Sequence, residues 1–178
     1  MRIIAGEWRG HTNQAPPGGA TRPTTDRVRE AWMSMLQPVL TDARVLDLYA
    51  GSGALGLEAL SRGARHATFV ERYGRAIRVL RANIATLGAG DRCRVVRDDA
   101  LRFAGALEPD AYDVVVADPP YGAGAAAALA RLFLDRPFAD TLWIEHRKTD
   151  PVPAPEDADR MNTRRYGDTR ITRYLRPD

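Results

Sequence analysis

The sequence predicts an α/β domain with a mostly parallel β-sheet and helices on both of its faces. From residue 44 to residue 146, short apolar segments of strand length alternate with longer segments of helical pattern. This alternation is typical of parallel strands joined by right-handed helical crossovers. A glycine-rich loop directly follows the first strand, where the ligand of an open α/β sheet binds. The predicted strands are 44–49, 66–71, 92–96, 112–118 and 141–146, and the predicted helices lie near 53–62, 74–87, 99–107 and 123–135.

An N-terminal arm and one further helix precede this alternating region. Residues 2–14 combine a short apolar run, a glycine-rich bend and a polar segment, which predicts a small β-hairpin. A loop rich in proline and glycine follows at 14–23. Thr24 or Thr25 can cap the next helix, and Pro38 is expected to end it.

The C-terminal segment predicts a second hairpin. Residues 160–176 alternate polar and apolar side chains around a Tyr-Gly-Asp-Thr turn. No internal repeat divides the chain. We therefore expect an arm or hairpin at 1–23, followed by one compact domain over 24–178.

The composition is that of one globular domain. The chain has 178 residues, of which 44% are hydrophobic and 28% charged, an ordinary balance for a soluble protein with a single core. Its apolar runs are far too short to cross a bilayer, and no leader peptide opens it. We therefore expect a cytoplasmic monomer without a membrane partner. Because Cys93 is the single cysteine and the three histidines lack ligand spacing, we expect no disulfide and no metal site.

Clustered arginines indicate contacts with phosphates. Of the 26 cationic residues, 25 are arginine, and six of these fall between Arg160 and Arg176. Arginine binds phosphate in a bidentate geometry and releases counterions on doing so. A solvated charged face is the alternative. The residues expected to contact nucleic acid are Arg22, Thr24, Arg27, Arg164, Arg165 and Arg170.

The glycine-rich loop has two interpretations. Gly51-Ser-Gly53-Ala-Leu-Gly56 matches G-x-G-x-x-G, and Glu71 lies twenty residues past Gly51, where a dinucleotide-binding unit carries its ribose-binding acid. Asp47, however, places a carboxylate just before the loop, where it would oppose a pyrophosphate. An acid there suits S-adenosylmethionine, which carries a sulfonium and an ammonium group. Glu71 can accept both ribose hydroxyls of either cofactor.

Two of these acids also have a structural alternative. Asp47 can cap a helix or support the fold instead of facing a ligand. Asp99 and Ala100 follow the third strand, where the carboxylate of Asp99 could accept from the exocyclic amine of adenine. Asp98 or Asp99 could equally cap the next helix, and the two roles of Asp99 are compatible.

The segment Asp118-Pro-Pro-Tyr121 decides the chemistry. Two prolines after an apolar strand hold the backbone extended and have no N–H to donate. The carbonyl of Pro119 and the carboxylate of Asp118 can then accept both N–H bonds of a planar –NH2 group, while Tyr121 offers a face on which a base can stack. These acceptors favour the pyramidal nitrogen of a methyl-transfer transition state. They suit the amine of guanine or of adenine.

The same segments resemble a known family. DLYAGSGALGLEALSRGA at 47–64 and DPPY at 118–121 resemble the Class I S-adenosylmethionine-dependent methyltransferases that act on base amines. RPTTDRVREAW at 22–32, directly upstream, resembles the RsmD family of bacterial 16S rRNA guanine-N2 methyltransferases. RIIAGEWRG at 2–10 and YGDTR at 166–170 are also similar to that family, so the resemblance covers nearly the whole chain.

The resemblance implies a Rossmann-like seven-stranded sheet, S-adenosylmethionine as the methyl donor, and a guanine of 16S rRNA as the target, within a 30S subunit or an assembly intermediate. It implies catalytic roles for Asp118, Pro119 and Tyr121. The residues expected at the cofactor are Asp47, Gly51, Gly53, Glu71, Asp99 and Ala100.

Three other functions explain less of the sequence. A DNA or RNA adenine-N6 methyltransferase shares the DPPY segment, but the DNA enzymes usually carry a large target-recognition insert that is missing here. A non-enzymatic nucleic-acid-binding module would explain the arginines but not DPPY at a strand end. A nicotinamide dehydrogenase would explain the glycine loop and Glu71, but it would lack an acid–base residue for hydride transfer.

Overall fold

The computed structural model describes residues 2–15 and 26–177, and this part contains a seven-stranded sheet flanked by five α-helices. The strands are β1 Arg44–Leu48, β2 His66–Glu71, β3 Cys93–Arg97, β4 Tyr112–Ala117, β5 Ala139–Arg147, β6 Met161–Tyr166 and β7 Thr169–Leu175. The helices are α1 Asp26–Leu40, α2 Ala54–Ser61, α3 Gly74–Thr86, α4 Ala100–Gly105 and α5 Ala125–Asp135.

The strand order is β3-β2-β1-β4-β5-β7-β6. The first five strands are parallel, and β7 runs antiparallel to β5 and to β6. The chain moves outward from β1 to β3 and then returns to β4, which pairs with β1. This reversal opens a crevice at the carboxyl ends of β1 and β4, the usual ligand site of such sheets. The mostly parallel sheet and the terminal hairpin were both predicted correctly.

Each face of the sheet has its own hydrophobic core. Helices α1, α2 and α3 pack on one face, where Trp32, Leu57 and Phe69 are buried. Helices α4 and α5 pack on the other face around Phe133 and Leu46. Burial on both faces explains why β1, β2, β4 and β5 are mainly apolar without polar alternation; β3, at the edge of the sheet, is partly exposed.

The end of α1 differs from the prediction. Pro38 lies inside the helix, which continues to Leu40, so the expectation that this proline ends it is wrong. A proline inside a helix removes one hydrogen bond and costs about 3 kcal/mol. Leu36 and Leu40 are fully buried, and burying a leucine contributes about 1.5–3 kcal/mol, so packing holds the last turn helical. The capping residue expected at Thr24 or Thr25 lies outside the described residues.

The N-terminal arm folds back on itself. Arg2 and Thr12 form an antiparallel bridge, and the N–H groups of Ile3 and Gly10 donate across the loop to the carbonyls of His11 and Ile3, each at 2.9 Å. The described part of the predicted hairpin is therefore a tight loop closed by one bridge.

The arm is bound to α2 by buried polar groups. The carboxylate of Glu58, 1% exposed, accepts the N–H groups of Ile4 at 2.9 Å and Ala5 at 3.1 Å. The hydroxyl of Ser61 donates to the carbonyl of Ala5 at 2.6 Å. Gly6 has a φ of +83°, and a Cβ there would lie 1.7 Å from the carbonyl oxygen of Ser61. Only glycine allows the arm to approach the helix this closely.

Candidate active site

The glycine loop turns the chain sharply out of β1. Tyr49, Gly51 and Gly53 have φ values of 61°, 56° and 87°, a left-handed conformation that is uncommon for a tyrosine. A Cβ on Gly51 would meet no atom within 4 Å, whereas one on Gly53 would lie 2.4 Å from Leu80. Gly51 therefore borders open space where a ligand can reach the backbone, and Gly53 is required for packing against α3.

Glu71 lies directly beside this loop. It ends β2 and is 7% exposed. Its Oε2 accepts the N–H of Gly51 at 2.9 Å, and its Oε1 accepts the N–H of Tyr73 at 2.8 Å. The structure thus brings together two predicted cofactor residues that are twenty positions apart and holds the carboxylate in one orientation.

Asp47 lies beneath the loop. Its side chain is 1% exposed, and Oδ2 accepts the N–H of Gly56 at 2.9 Å. Burial raises the pKa of Asp47 to about 7; the nearby charge of Glu71 also raises it, while the Gly56 hydrogen bond opposes the shift. A Cβ on Gly56 would lie 2.4 Å from Phe69, so the third glycine lets α2 approach the sheet. These contacts favour the structural alternative for Asp47, and direct contact with a cofactor stays a prediction.

Asp99 caps α4, as the structural alternative for this residue predicted. Its Oδ1 accepts the N–H groups of Leu101 at 3.0 Å and Arg102 at 3.1 Å. Its other oxygen, Oδ2, lies 4.0 Å from a guanidinium nitrogen of Arg72, and the side chain is 48% exposed. Ala100 is buried at the first position of the helix. The contact of Asp99 with adenine stays a prediction that is compatible with its capping role.

The Asp118-Pro-Pro-Tyr121 segment begins where β4 ends. Ala117 pairs with Leu48 of β1 on one side and with Ile144 of β5 on the other. Asp118 is therefore next to the start of the glycine loop and next to Glu145. Asp118 is half-buried and Pro119 is buried. The two segments that the sequence predicted to cooperate thus lie at neighbouring strand ends.

Tyr121 is held at two points. Its hydroxyl donates to Oε1 of Glu145 at 2.6 Å, and the guanidinium of Arg147 lies over its ring, 4.4 Å from the centroid. Burial and the Glu145 hydrogen bond raise the pKa of Tyr121 above its usual range, so the hydroxyl keeps its proton at neutral pH. Because Arg147 covers one face of the ring, a base can stack on the other face only.

Glu145 and Arg147 were not among the predicted site residues. The available signal was an acid in the otherwise apolar strand segment TLWIEH, because a buried carboxylate requires a donor. Glu145 is 1% exposed. Its partner could not be predicted, since that depends on how the loop after β4 folds back over β5.

Asn83 on α3 is a second residue that the sequence analysis missed. Its amide nitrogen donates to the carbonyls of Ser52 at 3.0 Å and Gln14 at 3.1 Å, and its Oδ1 accepts the N–H of Gln14 at 2.8 Å. One buried side chain therefore joins the glycine loop to the N-terminal arm.

The predicted RNA-contacting arginines near the C-terminus lie on two faces of the sheet, and their contact with RNA stays a prediction. Arg164 and Arg165 are successive residues of β6, so their side chains point to opposite faces of the sheet. Arg165 pairs with Arg170 of β7, whereas Arg164 pairs with Ile171, which belongs to the core under α1–α3. Only Arg165 and Arg170 share a face, because strand alternation separates neighbours in sequence.

The arginines near the N-terminus also divide. Arg27 is exposed on α1 and remains a candidate for RNA contact. Arg29 is 3% exposed and donates to the carbonyl of Arg2 at 2.7 Å, so it holds the arm. Arg22 and Thr24 lie outside the described residues.

No group of three or more histidine, cysteine, aspartate or glutamate side chains in 2–15 and 26–177 is arranged to hold a metal ion. Within the same ranges, none of the helices combines the length and the apolar character needed to span a membrane.

Comparison with known proteins places this site in context. The family model described as Conserved hypothetical protein 95 matches residues 1–175. The Ribosomal RNA small subunit methyltransferase D of Escherichia coli (strain K12) is 45% identical over 156 residues, which are 86% of this chain and 78% of that protein.

Solved structures are similar over almost the whole chain. The Escherichia coli protein yhhF, assigned as a methyltransferase, superposes with a TM-score of 0.83 at 38% identity and covers 99% of this chain and 97% of its own. The Thermus thermophilus 16S rRNA N2 G1207 methyltransferase has a TM-score of 0.64 at 19% identity, over 90% of this chain and 45% of that one; this similarity concerns the fold alone. The predicted Rossmann-like Class I methyltransferase fold is confirmed.

Proposed function

Because the chain belongs to the family described as Conserved hypothetical protein 95, we propose that it transfers a methyl group from S-adenosylmethionine to the N2 amine of a guanine in 16S rRNA. One observation carries the proposal: Asp118-Pro-Pro-Tyr121 lies at the end of β4, beside the glycine loop that ends β1. The name of the 45% identical relative, a small-subunit rRNA methyltransferase, supports the substrate.

The residues around the glycine loop fit S-adenosylmethionine. Open space borders the backbone at Gly51, and the carboxylate of Glu71 is already oriented beside it. Glu71 would hold the ribose hydroxyls and Asp99 the adenine amine. In its ionised form, the buried carboxyl of Asp47 favours a positively charged ligand over a pyrophosphate. When bound, the cofactor supplies an electrophilic methyl group on a positively charged sulfur.

Asp118 and Pro119 act on the accepting amine. The carboxylate of Asp118 and the carbonyl of Pro119 accept its two N–H bonds, which favours the pyramidal nitrogen of the transition state and directs its lone pair toward the methyl group. As the new N–C bond forms, the bond between the methyl group and sulfur would break with its electron pair left on sulfur, and the nitrogen would become an acidic ammonium. It then loses one proton to the carboxylate of Asp118 or to water.

Tyr121 positions the base. The ring face that Arg147 does not cover stacks on the purine, an interaction worth about 1–3 kcal/mol. Glu145 fixes the ring through the hydroxyl. A guanine inside a helix would hide its amine, so the target nucleotide must be unpaired or flipped out of its stack.

The RNA surrounds this site. Of the predicted contacts, we assign phosphate contacts to Arg22, Thr24, Arg27, Arg165 and Arg170. Arg164, on the face of the sheet opposite to Arg165, contributes general electrostatic attraction. The substrate is a 30S subunit or an assembly intermediate, on which the chain acts as a cytoplasmic monomer.

The test is methylation of small subunits from cells that lack this enzyme. The subunits are incubated with S-adenosylmethionine labelled in its methyl group, and the rRNA is digested to nucleosides. We expect label in N2-methylguanosine, appearing about 10²-fold or more slowly with Asp118→Ala, which serves as the matched control. Label in N6-methyladenosine would replace guanine by adenine as the target, and no label in any nucleoside would overturn rRNA as the substrate.

A further inference from the structure

A cavity of about 430 Å³ opens on the C-terminal hairpin, and neither the glycine loop nor the Asp118–Tyr121 segment lines it. We name it the hairpin cavity; it lies between the loop that follows β5 and the strands β6 and β7. Its volume falls within the ~300–1,000 Å³ of small-molecule sites. Three cationic side chains, Lys148, Arg165 and Arg170, line it, and none of the described residues that line it is acidic. Lys148 is paired with Asp168 at 3.2 Å, and Arg170 donates to the carbonyls of Gly167 and Thr169.

The rest of the cavity lining is largely apolar or already hydrogen-bonded. Pro151, Val152 and Met161 supply an apolar wall. The hydroxyl of Thr172 is hydrogen-bonded to Nε2 of His146 at 2.8 Å and to the hydroxyl of Thr163 at 2.8 Å. The cavity therefore offers an apolar surface for a flat group and cations for an anion, the two halves of a nucleotide.

The cavity wall is connected to the catalytic segment. Asp150, in the loop after β5, accepts the N–H of Gly122 through Oδ2 at 3.0 Å. Gly122 directly follows Tyr121. The carbonyl of Asp150 lies 3.0 Å from Nδ1 of His146, which lines the cavity. A ligand in the hairpin cavity would thus lie against the loop that supports the base-binding tyrosine.

We propose that the hairpin cavity binds a second nucleotide of the RNA substrate, distinct from the nucleotide that is methylated. Its base packs on Met161 and Pro151, and its phosphate contacts Arg165 and Arg170. The inference rests on the proposed function, because the second nucleotide belongs to the RNA that the proposed function names as the substrate. It adds to that function a binding site on the face of the sheet opposite to Arg164.

The first test observes the cavity directly and requires no methylation. Methionine labelled with ¹³C at its methyl group gives one signal from Met161, assigned by Met161→Leu, and buried Met33 is the internal control. We expect uridine 5′-monophosphate to shift the Met161 signal and to saturate it at a concentration at least about fivefold lower than uridine or inorganic phosphate, since base and phosphate each add contacts. Equal saturation by inorganic phosphate would reduce the cavity to an anion site, and an unmoved Met161 signal would overturn the inference.

The second test compares two neighbouring arginines in the methylation assay. Arg165→Ala and Arg164→Ala remove the same charge from successive, exposed positions of β6, but only Arg165 lines the cavity. We expect Arg165→Ala to raise KM for the subunit about tenfold without changing kcat, and Arg164→Ala to raise it about twofold, since a phosphate contact contributes more than general electrostatic attraction. Equal effects would overturn the inference and leave the proposed function standing. A wild-type protein that methylates no rRNA would overturn the proposed function, while the ¹³C experiment would still decide whether the cavity binds a nucleotide.

Discussion

Two buried carboxylates at the same edge of the sheet are used in different ways. Glu71, at the end of β2, accepts two main-chain N–H groups, whereas Glu145, near the end of β5, accepts the hydroxyl of a side chain, Tyr121. In the glycine-loop region (Asp47 to Glu71), side chains thus hold the main chain. In the catalytic region (Asp118 to Tyr121 with Glu145), one side chain holds another.

This difference predicts how the two regions respond to substitution. The side chains of Glu71, Asp47 and Asn83 fix the main chain of the glycine loop by hydrogen bonds, so changes to them should alter cofactor affinity and stability. In the catalytic region the orientation of one ring depends on one hydroxyl and one guanidinium. Changes there should alter turnover and leave cofactor affinity intact.

The largest expected effect is that of Asp118→Ala. It removes one of the two acceptors for the amine and should lower the single-turnover methylation rate by about 10²-fold or more, with cofactor affinity by calorimetry unchanged. Asp118→Asn keeps an acceptor oxygen and should lose less. Near-normal turnover in Asp118→Ala would remove this segment from catalysis. A parallel loss of cofactor affinity would show that the catalytic region and the glycine-loop region do not act separately on turnover and cofactor binding.

The second effect belongs to the glycine-loop region. Glu71→Ala should weaken S-adenosylmethionine binding by about 1.5–3 kcal/mol, because the ribose loses hydrogen bonds to a charged acceptor. Glu71→Gln keeps one carbonyl acceptor, and its cofactor affinity should lie between that of Glu71→Ala and that of the wild type. Calorimetry measures both. Unchanged affinity in Glu71→Ala would show that Glu71 supports the loop without touching the cofactor.

A smaller effect tests the support of Tyr121. Tyr121→Phe keeps the stacking ring but removes the hydroxyl that donates to Glu145, and it should lower kcat about fivefold, as expected for one lost hydrogen bond of about 1 kcal/mol. Glu145→Gln retains an acceptor for the hydroxyl and should be close to wild type. Single-turnover rates decide. If Tyr121→Phe is silent while Glu145→Gln is impaired, the carboxylate acts by a route other than the tyrosine.

The smallest effect is the pH dependence of cofactor binding. The pKa of Asp47 is raised to about 7 by burial, so the carboxyl is protonated below and ionised above this pH. A positively charged cofactor favours the ionised form, and its affinity should therefore increase about threefold between pH 6 and pH 8, within the tenfold that one pKa unit allows. Asp47→Asn should abolish the increase. The same increase in that variant would assign it to another group.

The central sheet and the pairing of the two motifs could be predicted from the sequence. Strands buried on both faces have continuous apolar runs, and parallel topology alone places the ends of β1 and β4 side by side. Pro38 was predicted wrongly because local propensity was given more weight than the burial of Leu40. Tertiary packing decides such cases.

The features that could not be predicted from the sequence depended on strand register and on loop conformation. Arg164 and Arg165 were both predicted to contact nucleic acid, and the alternation of side chains along β6 places them on opposite faces of the sheet. The contact between Tyr121 and Glu145 required knowing how the loop after β4 folds back over β5. To predict the hydrogen bond between Asp47 and the N–H of Gly56, one would need the angle at which α2 approaches the sheet, and no residue pattern encodes that angle.

The N-terminal arm has a consequence for the lifetime of the folded chain. Its partners lie far along the sequence: Glu58 is 54 positions beyond Ile4, and Asn83 is 69 beyond Gln14. Closing such long loops costs entropy, and contacts of this range tend to form late in folding. Interactions that are absent from the transition state slow unfolding without accelerating folding. We therefore expect Glu58→Gln to raise the unfolding rate and to leave the folding rate unchanged. The slopes of both limbs of the chevron should not become steeper. The first residues of the chain thus govern how long the native state persists.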